Sequence, residues 1–72
     1  MVFMNIKTRF KLTQREFQCV ELLIEKNTAK AIAKKLNISY RTVEAHFNNI
    51  MNKYNCKNRY EIMEIYFQQK NN

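Results

Sequence analysis

Seventy-two residues with a net charge of +7 and two cysteines describe one small domain, too short for a large core and without the cysteine density of a disulfide scaffold. No apolar run is long enough to span a bilayer, no charged-then-apolar leader precedes a cleavage site, and the single histidine, His46, has no partners at zinc-ligand spacing, so a cytoplasmic protein without a metal is expected. A pI near 9.7 points to a polyanionic partner.

In chain order, residues 1–11 (MVFMNIKTRFK) show no clean period and read as an N-terminal extension or linker stub before a domain at 12–70. A first helix is expected over about 14–26. Thr13 and Glu16 form a capping box, and Leu12 and Phe17 stand at the positions of a hydrophobic staple. Cys19, Val20 and Leu23 form its inward stripe. A second helix over 29–36, capped by Thr28, turns Ile32, Ala33 and Leu36 inward and Lys30, Lys34 and Lys35 outward. Asn37-Ile38 makes a tight turn, and Ser39 caps a third helix over 40–54. A fourth helix, over about 59–69, starts at Asn58-Arg59-Tyr60-Glu61, which resembles a capping box. The chain has neither glycine nor proline, so left-handed turn positions fall to asparagine, and Asn27, Asn37 and Asn55 each lie at a predicted helix end. Both cysteines, Cys19 and Cys56, sit where a small apolar residue would fit and are expected to be reduced and buried.

Two helices joined by so short a turn must cross steeply, which is helix-turn-helix geometry. Ala33 is small where the helices touch, Asn37 can take the left-handed turn, and Val43 is the apolar wedge. The third helix has two faces. Val43, Phe47, Ile50, Met51 and Tyr54 form an apolar stripe, while Arg41, Glu44, Ala45, Asn48, Asn49 and Asn52 form a small polar face suited to DNA base edges. Eight basic residues and one acid, Glu44, lie between Lys26 and Arg59, while the rest of the chain holds five of each, so the whole +7 surrounds this helix. His46 borders the apolar stripe and reads as a packed residue. No nucleophile–base pair, metal set or phosphate loop supports an enzyme, and basic residues spread over a compact fold disfavour a membrane-surface helix.

The series Leu12-Thr13-x-Arg15-Glu16, Lys30-x-Ile32-Ala33-x-x-Leu36-x-Ile38-Ser39-x-x-Thr42-Val43-x-x-His46-x-x-x-Ile50, Lys53 and Arg59 resembles the LuxR-type helix-turn-helix domain over roughly Leu12 to Phe67. In length and coverage the chain is most similar to stand-alone GerE-like members. The resemblance implies an all-α, four-helix DNA-binding domain of a bacterial transcription regulator. Its third helix would enter the major groove and its fourth would form a two-fold dimer. The glycines usual at the ends of the first and third helices are Lys26 and Asn55 here, and a position often basic in the family is Glu44.

On that footing, Glu44, Ala45, Asn48 and Asn49 are the expected base readers: Asn can bond adenine, Glu can accept from cytosine N4, and Ala45 can touch a thymine methyl. Lys30, Lys34, Tyr40, Arg41, Thr42 and Lys53 are the expected phosphate contacts, Thr42 lying in a first turn whose free N–H groups favour an anion. Tyr60, Met63 and Phe67 on the fourth helix are the expected dimer interface. The partners are then double-stranded DNA and a second copy of the chain, with no cofactor, membrane or small-molecule ligand. The competing reading is a small interaction module that uses the same fold to bind another regulator or RNA polymerase. Its support is Glu44 and the scarcity of base-reading arginines.

Overall fold

A computed structural model describes residues 12–70, with side chains through Gln68; the expectation for residues 1–11 lies outside the described residues. The fold is all-α: α1 (Gln14–Ile24), α2 (Ala29–Leu36), α3 (Tyr40–Tyr54) and α4 (Arg59–Lys70). α3 is the central element, packed against the other three helices.

Each helix starts where a side chain can satisfy a first-turn N–H. At α1 the Thr13 hydroxyl accepts from the Glu16 N–H, and the Glu16 carboxylate accepts from the Thr13 N–H, both at 3.1 Å. Thr28 Oγ1 accepts from the Ala31 N–H at 3.1 Å, and Ser39 Oγ from the Thr42 N–H at 3.0 Å. At α4, Asn58 Oδ1 accepts from the Glu61 N–H at 3.1 Å. The return bond differs from a capping box: Glu61 Oε1 accepts from the Lys57 N–H at 2.8 Å, one residue before the cap.

Three helices end on a left-handed residue, and none of the three is glycine: Lys26 (φ 71°), Asn37 (φ 58°) and Asn55 (φ 56°). In each case the following N–H reaches back to a carbonyl five residues earlier: Asn27 to Leu22 at 3.2 Å, Ile38 to Ala33 at 3.0 Å, and Cys56 to Met51 at 2.9 Å. α1 therefore stops two residues short of its expected end, and its left-handed residue is Lys26 rather than Asn27. Asn27 closes the turn differently, donating from its side-chain amide to the Leu22 carbonyl at 2.8 Å.

A lysine Cβ crowds the carbonyl oxygen in this geometry, at about 1–2 kcal/mol. Lys26→Gly is expected to stabilise the domain by about 1 kcal/mol and raise Tm by about 4–8 °C. A melt showing no rise would mean that α1 does not end in this turn in solution.

The core is built on α3. Val43, Phe47 and Ile50 are completely buried against Cys19, Val20 and Ile32, with Ile62 and Tyr66 of α4 closing one side. Val43 fills the corner between α2 and α3, where Ala29 and Ala33 are small enough to let the helices meet. Leu12 is buried and Phe17 packs on the core, Phe17 stacking with Tyr66 at 6.5 Å between ring centres. Both cysteines are free, but only Cys19 is buried; Cys56 is half-buried in the turn before α4.

Candidate nucleic-acid interface

At 3.6 residues per turn, Arg41, Ala45, Asn48, Asn49 and Asn52 fall on the side of α3 opposite its buried stripe, and all five are exposed. They form a shallow polar strip, with Ala45 as its lowest point. The serine cap, the tight turn and the Val43 wedge fix the helix underneath, so this strip projects outward from a packed base. Lys30 and Lys34 are exposed on α2, and Tyr40 is 47% exposed at the start of α3.

Thr42 is exposed in the first turn, but its N–H is taken by Ser39 Oγ and the two hydroxyls lie 2.8 Å apart. An anion there would meet a capped turn, with the hydroxyls and the helix dipole as the remaining attraction.

The two flanks of the strip are ion-paired. Glu44 and Lys53 are nine residues apart, so they stand about 180° apart around α3. On one flank, Lys53 Nζ donates to Glu16 Oε1 at 2.6 Å, tying α3 to α1. Glu16 is only 4% exposed and has two roles, as cap of α1 and counter-ion of Lys53. On the other flank, Arg59 Nη2 donates to Glu44 Oε2 at 2.5 Å, tying α3 to α4. The Arg59 guanidinium also lies over the Phe47 ring, its central carbon 4.8 Å from the ring centre. The exposed Tyr40 hydroxyl lies near enough to the same carboxylate to help lower its pKa. Lys53 and Glu44, expected on phosphate and base respectively, are thus already engaged with protein partners. Arg59 enters the sequence reading only as a motif position and a unit of charge. Nothing in local spacing marks it as the partner of Glu44, because the bond joins residues 15 apart across a turn.

The electrostatics follow from these contacts. Burial pushes the Glu16 carboxyl up. The Lys53 ammonium, the Thr13 N–H and the nearby His46 pull more strongly, and its pKa lies below the ordinary 4.5. The Arg59 bond and the nearby Tyr40 hydroxyl hold Glu44 below its ordinary value too, and the Tyr40 hydroxyl is raised in return by the Glu44 carboxylate. A carboxyl that is more acidic folded than unfolded adds stability above its unfolded pKa and loses it as pH falls through the folded one. On the acid side, Tm should therefore fall below about pH 4.5 as these carboxylates are protonated. Glu16→Gln should start lower and lose less over the same acid interval; an identical acid fall in both proteins would remove Glu16 as a cause.

His46 is half-buried on the Lys53 side of α3. Among the described residues no three His, Cys, Asp or Glu side chains are grouped to hold a metal ion, and no helix is long and apolar enough to cross a membrane. On α4, Tyr60 is 76% and Phe67 44% exposed, with Met63 half-buried between them on one face. Tyr60 and Met63 also line an open groove of about 760 Å³ that runs from Leu23 and Ala29 past Met51 to Arg59.

Residues 11–66 match the family of bacterial regulatory proteins described as the luxR family. The chain is 46% identical over 48 residues to the spore germination protein GerE of Bacillus subtilis, covering 67% of this chain and 65% of that protein. It is 44% identical over 57 residues to the transcriptional activator protein VanR of Vibrio anguillarum, and 40% identical over 54 residues to the transcriptional regulatory protein TdiR of Thauera aromatica. These alignments cover 79% and 75% of this chain but 24% of each relative, so the chain spans about a quarter of the length of those two proteins. No solved structure matches at comparable significance.

Proposed function

The chain belongs to the luxR family of bacterial regulatory proteins, and we propose that it regulates transcription by binding a specific duplex DNA sequence, with α3 in the major groove. The observation that carries this reading is the outward strip of α3, where exposed Ala45, Asn48 and Asn49 offer one methyl contact and two amides to base edges. Glu44 borders the strip and can accept from cytosine N4 through lone pairs that Arg59 leaves open. Lys30, Lys34, Tyr40 and Arg41 supply the sequence-independent contacts to phosphate, with Thr42 at the capped turn. Lys53, held by Glu16, reaches a phosphate only by sharing its ammonium.

The exposed aromatic pair on α4, Tyr60 and Phe67 with Met63 between them, supports a two-fold dimer. Such a dimer would read two half-sites about one helical turn apart.

The test is titration of wild-type and Asn48→Ala proteins against a duplex selected from a random pool and a scrambled duplex, at one stated salt concentration. The wild type is expected to prefer the selected duplex. Asn48→Ala should lose about tenfold or more on that duplex alone, with an unchanged melt. Equal wild-type affinity for both duplexes would leave only charge attraction and favour a surface for another regulator or RNA polymerase.

A further inference from the structure

We propose that Arg59 is a built-in counter-ion, a positioning residue that lets this chain keep a carboxylate, Glu44, beside its DNA-facing strip. The inference rests on the reading that α3 faces DNA, and it assigns Arg59 a role exerted through Glu44 rather than on DNA.

A carboxylate on the flank of a groove-binding helix faces two rows of phosphates. Unpaired, it repels them at every sequence and must shed water before it can accept from a base. The geometry removes both difficulties. Arg59 Nη2 binds Glu44 Oε2 at 2.5 Å, with each side chain about one-third exposed, so the pair lies at the rim of the fold and remains accessible to a ligand. The guanidinium is held in place from a third direction by the face of Phe47, the largest fully buried side chain. It comes from the first residue of α4, whose start is fixed by the Asn58 cap and the Glu61 bond to the Lys57 N–H. The depressed Glu44 pKa reflects the Arg59 bond first and the nearby Tyr40 hydroxyl second. Arg59 is thus committed to one carboxylate and one ring, a poor arrangement for an arginine that must also clamp a phosphate. The carboxylate is fixed in orientation, so its remaining lone pairs point one way and favour one donor, the cytosine amino group.

The test is a double-mutant cycle of Glu44→Gln and Arg59→Met, measured as Kd on a duplex selected by the wild-type chain and on a scrambled duplex of equal length. Arg59→Met keeps an aliphatic chain over Phe47, and a thermal melt of each variant establishes that it folds. Arg59→Met is expected to weaken both duplexes about tenfold by uncovering the carboxylate. Adding Glu44→Gln should restore the scrambled duplex to within about threefold of wild type. If the double variant stays as weak as Arg59→Met, Arg59 acts on phosphate directly and the proposal falls.

The Glu44→Gln arm needs no change at Arg59. The proposal expects scrambled-duplex binding within about threefold of wild type and a changed preference at one base position. A gain of tenfold or more on the scrambled duplex would mean that the carboxylate was never compensated. Loss of the wild type's own preference for its selected duplex would instead count against the DNA reading itself, and it would be visible before any variant is made.

Discussion

Phe47→Ala is expected to abolish cooperative unfolding of this domain, or to lower its Tm by about 15 °C or more. Phe47 is completely buried, it lies in the stripe by which α3 touches the other three helices, and its ring carries the Arg59 guanidinium. Truncating a buried phenylalanine costs about 3–5 kcal/mol through lost transfer energy and an unfilled cavity. A chain of this size has roughly 4–10 kcal/mol to lose. Circular dichroism at the helical band, followed on heating, measures the effect. A drop of less than about 5 °C would mean that α3 is rolled relative to the packing described and that its polar strip faces elsewhere.

The second large effect falls on binding. Ala45→Glu should reduce affinity for duplex DNA about a hundredfold while leaving Tm essentially unchanged. Ala45 is exposed at the lowest point of the strip, and glutamate is a good helix former at a solvated position. The longer side chain would hold the strip off the bases and bring a second, uncompensated carboxylate to the phosphates; two lost decades are about 2.7 kcal/mol. Gln14→Glu on α1 is the matched control, since it removes the same unit of charge at another exposed position. Equal losses in the two variants would reduce the interaction to net charge, and retained binding in Ala45→Glu would move the DNA site off α3.

The architecture was legible because it is local. Thr13, Thr28, Ser39 and Asn58 mark helix starts through bonds to residues three positions on. Asn37 and Asn55 mark two of the three ends through one backbone torsion. The inward stripe of α3 is a period that can be read along the chain. Lys26 was less legible: nothing about a lysine announces a left-handed residue, and the adjacent Asn27 was the more natural candidate. The Asn27 side chain instead anchors the turn from outside.

The flanks of the strip were not legible at all. Glu16 reaches Lys53 across 37 residues and Arg59 reaches Glu44 across 15, and ion pairs of that separation exist only once the helices are packed. For the same reason nothing along the chain shows that Lys53 and Glu44 each have a protein partner.

The outward strip has a consequence for how such a chain can change. Arg41, Ala45, Asn48, Asn49 and Asn52 are exposed and form no part of the core. Substitutions there are close to neutral for folding, so these positions can change one at a time without a compensating change elsewhere. Glu44 is the exception, because a change of its charge strands Arg59 against Phe47. Five exposed positions of α3 are therefore independently adjustable, and the sixth, Glu44, is bonded to a residue on another helix.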